Sequence, residues 1–240
     1  MIVVKVGGSA LTDKKGFKKA KLEAIESLAR QIAEVNPNHF ILVHGAGSFG
    51  HPFVVEYRLK EEKNLEGIVR AHMSCVELNS IICNAMLEHG LKPFPIHPLQ
   101  SFRLRNGKIS FDVRVFEFAL KEGFIPVTHG DMVYDEVKGS FEVLSGDDIT
   151  LELARVFKAD KVGFATDVKG VYVKGRLVKI VSWNDLDHLG FSDGIDVTGG
   201  MRAKVEKILR SGIKARIFSL DELKEFLTCE DVGTLVGNVL

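Results

Sequence analysis

Short apolar runs, each closed by a glycine or a polar turn, return along the whole chain, and stretches of helical periodicity fill the gaps between them. Ile2-Val3-Val4, Phe40-Ile41-Leu42-Val43, Phe94-Pro95-Ile96, Phe124-Ile125-Pro126-Val127, Lys161-Val162-Gly163-Phe164-Ala165 and Ala215-Arg216-Ile217-Phe218 read as buried strands. Between them, Leu22, Ile25, Leu28, Ala29, Ile32 and Val35 recur at helix spacing. Leu65, Ile68, Val69, Met73, Val76 and Ile82 do so on a longer helix that ends near Gly90. Further helices are expected from Asp112 to Glu122, after Ser145-Gly146-Asp147, between Gly200 and Gly212, and from Asp221. A hairpin is expected around Lys174-Gly175-Arg176. Strands that are apolar on both sides and alternate with helices predict an α/β fold with a mainly parallel, doubly wound sheet covered on both faces. Ligands in such folds sit beyond the carboxyl ends of the strands.

Composition narrows the function classes. The 240 residues suit one large domain, with a soft lobe boundary between Leu151 and Ala159. Lys and Arg number 32 and so do Asp and Glu, leaving no net charge. That argues against a general nucleic-acid coat or a polybasic membrane anchor, which both rest on excess positive charge. Cys75, Cys83 and Cys229 form no C-x-x-C pair, so they read as reduced thiols rather than a zinc site or disulfide framework. Three apolar residues before Lys5 are too few for a signal peptide, and no run approaches the ~18 residues of a membrane span. The expectation is a cytoplasmic protein.

Glycine placement points to the chemistry. Lys5-Val6-Gly7-Gly8-Ser9 follows the first strand and His44-Gly45-Ala46-Gly47-Ser48-Phe49-Gly50-His51 the second. Thr198-Gly199-Gly200 opens the helix that carries Lys204. Glycines let backbone N–H groups approach an anion, and a helix N-terminus adds a favourable dipole. Three such loops, two with an adjacent lysine, point to a polyphosphate. Gly45, Gly47 and Gly50 satisfy G-x-G-x-x-G, but a dinucleotide site also wants an acidic residue at the end of the next strand. Glu61, Glu62 and Glu66 lie in polar or helical sequence instead. The spacing also begins like a Walker loop, yet His51-Pro52 stands where Lys-Ser/Thr is required. Lys204, near a helix start, is unfavourable against the dipole unless an anion is present. Asp131, Asp147, Asp148 and Asp167 gather in predicted loops. Asp147 reads either as a first-turn helix residue or as a group that orients lysines, binds ribose or holds Mg²⁺.

Taken in order, Lys5–Ser9, loop 44–51, Gly130-Asp131, Ser145–Asp148, Thr166–Tyr172 and Thr198–Lys204 resemble the amino acid kinase family over essentially the whole chain. Within it, His44-Gly-Ala-Gly-Ser-Phe-Gly-His51 resembles the branch that phosphorylates isopentenyl phosphate in an alternative mevalonate pathway. The resemblance implies a three-layer αβα sandwich with a mainly parallel central sheet, an acceptor lobe at 1–155 and a nucleotide lobe at 156–240. It implies ATP and Mg²⁺ as cofactors and a homodimer. Carried over by position, Lys5, Gly7, Gly8 and Ser9 hold ATP phosphates, Lys14 stabilises the transferring group, and Asp167, Gly200 and Lys204 bind nucleotide. Ala46, His51 and Gly146 meet the acceptor phosphate, and Gly47 meets the nucleotide side. Asp147 or Asp148 organises the lysines. Met73, Val76, Ile82 and Met86 on the long helix are candidates to line a slot for the acceptor's tail. A fosfomycin-type kinase of small phosphonates and a non-catalytic nucleotide-binding protein of the same fold are the alternatives.

Overall fold

The computed structural model describes residues 1–189 and 200–237. Strand β1 (Ile2–Val6) runs into a one-turn helix, α1 (Gly8–Leu11), and α2 (Leu22–Val35) returns the chain to β2 (Phe40–His44). Helices α3 (His51–Glu56) and α4 (Leu65–Glu88) lead to β3 (Pro93–Pro95). Then come α5 (Pro98–Ser101), β4 (Phe102–Arg105), β5 (Lys108–Phe111), α6 (Val113–Lys121) and β6 (Ile125–His129). The hairpin β7 (Asp131–Asp135) and β8 (Ser140–Leu144) precedes α7 (Gly146–Val156) and β9 (Lys161–Thr166). Short strands β10 (Tyr172–Val173), β11 (Arg176–Leu177) and β12 (Ile180–Val181) follow. Helix α8 (Gly200–Ser211), β13 (Ala215–Ser219), α9 (Leu223–Leu227) and β14 (Thr234–Val236) complete the order.

The central sheet has the order β12-β14-β13-β9-β1-β2-β6-β3, and every neighbouring pair is parallel except β13–β14. β1 pairs with β2 on one side and β9 on the other, so the lobes expected at 1–155 and 156–240 would meet along the β1–β9 ladder. Alternation along β1 sorts the core into two layers. Val4 and Val6 pack with Ile25, Leu28 and Leu78 of α2 and α4. Val3 faces the other way, among Ile149, Leu153, Val205 and Ile208 of α7 and α8. Helix α2 forms because its apolar residues share one face, and each such side chain fully buried contributes about 1.5–3 kcal/mol. It ends where Asn36 turns left-handed, at φ 45°. Among the described residues no helix is long and apolar enough to cross a membrane.

Two features differ from the expectation. The strand expected from Phe124 begins at Ile125 and continues to His129, because the Phe124 N–H closes the end of α6 by donating to Ala119 C=O at 2.8 Å. A second sheet, β5-β4-β7-β8, is separate from the central one. Its strands mix charged and apolar residues, as in Phe102-Arg103-Leu104-Arg105, and the one three-residue apolar run, Met132-Val133-Tyr134, lies between two aspartates.

Candidate active site

Because β1, β2, β6 and β9 are parallel, their carboxyl ends open on one edge of the sheet, and a cavity of about 890 Å³ lies there. It is lined by Lys5, Gly7, Gly8, Ser9, Lys14 and Asp167 on one side, and by Ala46, Gly47, His51 and Gly146 on another. Asp147, Gly200 and Lys204 complete it, so these residues meet in one space, whereas Asp148, Met73, Val76, Ile82 and Met86 do not line it. Thr198 and Gly199 lie outside the described residues.

The two glycine loops touch. A Cβ on Gly8 would stand 2.5 Å from the Gly47 nitrogen, so no side chain fits between them. Gly47 has φ +52° and its missing Cβ would collide with Thr12 Oγ1. Thr12 Oγ1 donates to Gly8 C=O at 2.8 Å and accepts from the Ser48 N–H at 3.0 Å, fastening one loop to the other.

A charged cluster lies beneath the loops. Lys5 is on the α7 face of β1 and its Nζ is 3.0 Å from Asp147 Oδ1. Lys204 Nζ from α8 reaches both Asp147 oxygens, at 2.9 and 2.8 Å, and sits 5.3 Å from the Phe164 ring centre. Burial would raise the Asp147 carboxyl, but the two ammonium groups more than offset it and hold Asp147 well below the carboxylate range. Burial, then the charge of Lys5, lowers Lys204 to about 8 against the pull of Asp147. The two shifts agree physically: one carboxylate serves two cations, and the cluster keeps a net positive charge. An anion placed there is favoured by both lysines, whose attraction exceeds the repulsion of the single carboxylate.

Asp147, and not Asp148, holds these lysines. Asp148 turns the other way, takes the Ser145 N-cap and pairs with Lys207 at 2.6 Å. Lys14 is exposed and pairs with Asp167 at 3.4 Å across the cavity rim. His51 opens α3 with its side chain accessible at the cavity mouth, where desolvation and the charges of Lys5 and Lys60 lower its pKa. It is therefore neutral near pH 7 and able to donate one N–H.

Asp131 is corrected from a loop carboxylate to the first residue of β7. Its side chain is fully buried, 2.6 Å from His72 Nδ1, and also accepts from the Met132 N–H. The slot also moves. Ile82 and Met86 are fully buried against the α2 layer and Met73 points to solvent, so the 24-residue helix presents other residues to the cavity. Ala71 and Cys75 of α4, Val54 of α3 and Met132 of β7 line its apolar end. Sequence reading passed over Thr12, Asn79, His97 and His129. A signal existed for the last: His-Gly closes an apolar strand twice, at His44-Gly45 and at His129-Gly130. Among the described residues, no three His, Cys, Asp or Glu side chains converge to hold a metal ion.

This fold and this anion-seeking cavity define a phosphotransferase class, and the comparisons agree. The chain belongs to the amino acid kinase family, whose pattern matches residues 1–219. Within the family it is similar to the isopentenyl phosphate kinase of Haloferax volcanii, 36% identical with 98% of each chain covered. It is 34% identical to that of Methanothermobacter thermautotrophicus, with 91% of each covered. A solved isopentenyl phosphate kinase superposes with a TM-score of 0.82 at 29% identity, covering 98% of this chain and 99% of the other.

Proposed function

We propose that this protein transfers the γ-phosphoryl group of ATP to isopentenyl phosphate, giving isopentenyl diphosphate and ADP. The observation that carries this reading is one cavity with a net-positive lysine cluster at one end and an apolar slot at the other. A small phosphate ester with a hydrocarbon tail matches both ends. Its relatives named isopentenyl phosphate kinase support the same substrate. A phosphate monoester has a second pKa of about 6, so at neutral pH it is mostly a dianion and needs no general base. An acceptor oxygen bonds to the γ-phosphorus as the bond from that phosphorus to the β–γ bridging oxygen breaks. The barrier lies in bringing two polyanions together and in line.

On this reading Lys5 and the N–H groups of Gly8 and Ser9 cradle the ATP phosphates, and Gly7, whose own N–H donates to Ala165 C=O at 2.8 Å, lets the nucleotide approach the backbone closely. Lys204, Gly200 and Asp167 lie on the nucleotide side, and Asp147 fixes Lys5 and Lys204 relative to each other. Ala46, His51 and Gly146 take the acceptor phosphate, and Gly47 faces the nucleotide. Lys14, on a solvent-accessible stretch, follows the transferring group. Mg²⁺ carried in on the nucleotide would find Asp147 tied to Lys5 and Lys204 and Asp131 tied to His72, so Asp167, held only by the exposed Lys14 at 3.4 Å, is the carboxylate that would help to hold it. The ion would supply charge neutralisation at the phosphate oxygens. The protein also pairs with a second copy, and the exposed stripe Leu65, Val69 and Met73 on α4 is the face we assign to it.

The test is ADP release in a coupled assay with isopentenyl phosphate, fosfomycin or no acceptor. Release that depends on isopentenyl phosphate is expected. Preference for fosfomycin, or no release with either acceptor, would reject the reading in favour of a phosphonate kinase or a nucleotide-binding protein.

A further inference from the structure

His44 and His129 end the neighbouring parallel strands β2 and β6 and are register partners. Their rings stack at 5.2 Å and both side chains are fully buried. In each, Nδ1 faces the carbonyl oxygen of the following glycine, 3.2 Å away at Gly45 and 3.1 Å away at Gly130. A carbonyl oxygen only accepts, so each Nδ1 carries the proton and each neutral ring offers Nε2 as an acceptor. A donor meets both: Asn79 Nδ2 of α4 at 3.1 Å from His44, and His97 Nδ1 at 3.0 Å from His129. Burial first, with smaller charge effects, lowers His44 to about 4 and His129 to about 3, so both rings are neutral at physiological pH.

The planar peptide turns this into a statement about the site. Gly45 C=O and Ala46 N–H belong to one trans peptide unit and point in opposite directions. Drawing the carbonyl onto the His44 ring turns the Ala46 N–H away from it. Among the described residues that N–H meets no acceptor, and Ala46 lines the cavity. The loop is braced besides: Gly45 N–H donates to Val6 C=O at 2.9 Å and Gly130 N–H to His44 C=O at 3.0 Å.

We propose that His44 is a positioning residue for the acceptor: held in its Nδ1–H tautomer by Asn79 and stacked on His129, it locks the Gly45–Ala46 peptide so that the Ala46 N–H serves the acceptor phosphate. The inference rests on the assignment of Ala46 to the acceptor made above. It distinguishes His44, which never touches substrate, from His51, which does.

The experiment combines spectra and binding. Imidazole ¹⁵N spectra of the wild-type protein at pH 7 should show His44 with a protonated Nδ1 and a bare Nε2; a protonated Nε2 overturns the proposal. By calorimetry, His44→Phe should weaken isopentenyl phosphate at least ~10-fold with ATP affinity changed less than ~2-fold, whereas His44→Asn, whose amide can donate in the place of Nδ1, should lose less than ~3-fold. Wild-type binding by the Phe variant, equal losses in the Phe and Asn variants, or equal losses of ATP and acceptor overturns it. Should His44→Phe fail to fold, Asn79→Leu decides: the acceptor KM should rise more than kcat falls, and an unchanged KM is fatal. If wild-type protein turns over no isopentenyl phosphate, the functional reading fails on its own. Positioning is then read from the Ala46 amide resonance titrated with inorganic phosphate, which should shift in wild type and not in Asn79→Leu; no shift in wild type overturns it.

Discussion

Asp147 and Asp148 are adjacent on a helix, and nothing in their order says which one serves the lysines. Successive helical positions diverge by about 100°, so the choice depends on where α7 sits against β1 and α8, which is a tertiary fact. The resulting cluster has a signature in pH. Lys204 in the free protein titrates near 8, below its ordinary value of 10.5, because it is buried beside Lys5. A folded value below the unfolded one means the unfolded chain binds more protons between those pH values, so Lys204 adds stability as pH rises from about 8 to 10.5. Asp147 works in the acid range: its depressed carboxyl contributes stability above the ordinary carboxylate pKa, lost as pH falls below it. A phosphate bound beside Lys204 restores its proton. Through Lys204, ATP binding at pH 8 should therefore take up about half a proton, whereas at pH 6 Lys204 takes up almost none and the nucleotide's own phosphate releases protons. Calorimetry in buffers of different ionisation enthalpy measures this directly; uptake that is equal at both pH values would remove Lys204 from the phosphate site. His51 offers the complementary residue-level test. His51→Ala should lower kcat/KM for isopentenyl phosphate by at least ~10-fold, about 1.4 kcal/mol, with ATP affinity near wild type. Lys204→Ala should weaken ATP first. A His51 variant that loses both affinities equally would show that this histidine does not belong to the acceptor.

At the scale of elements, the strand-and-loop units were legible because two physical signals coincide: an apolar run marks a buried strand, and glycines mark the turn beyond it. What the glycines do was not legible. Gly47 and Gly90 both have positive φ, +52° and +77°, and look alike in a sequence. Gly90 closes α4 with nothing within 4 Å of a would-be Cβ, whereas Gly47 is pressed against Thr12 and Gly8. Gly90→Ala should cost roughly 1–2 kcal/mol, the strain of a left-handed residue, and leave kinetics alone. Gly47→Ala carries the same strain and also drives the two glycine loops apart. Urea unfolding with steady-state kinetics separates them: kcat/KM for the Gly47 variant should drop at least ~10² fold, the scale of losing a transition-state donor. Equal kinetic effects from the two glycines would reduce the loop contact to a matter of stability.

At the scale of the molecule, the inner strands of the central sheet were readable, but its short strands β12 and β14 and the whole second sheet were not, and the apolar slot went with the second sheet. Strands β4, β5 and β8 are partly exposed, β7 is buried but bounded by two aspartates, and all four mix polar with apolar residues, so periodicity does not announce them. Without β7 there is no Met132 to face α4, and the long helix alone offers Ile82 and Met86, which the α2 layer claims for the core. The slot is thus a product of three elements: Val54 from α3, Ala71 and Cys75 from α4, and Met132 from β7. Ala71 and Met132 also share a small core with Phe53, Leu59 and Ile68, so side-chain volume there sets how deep a tail can enter. Met132→Ala should raise kcat/KM for longer isoprenyl phosphates relative to isopentenyl phosphate, at a stability cost of about 2–5 kcal/mol. Ala71→Leu should narrow the range of tails accepted, with an overpacking cost of about 1–3 kcal/mol. Met86→Ala should destabilise the fold without altering tail preference, because Met86 faces the other layer. The ratio of kcat/KM between long and short acceptors cancels uniform losses from instability, so it reports the slot alone. If that ratio stays constant in both the Met132 and Ala71 variants, or moves in the Met86 variant, the tail lies elsewhere and the second sheet has no part in substrate choice.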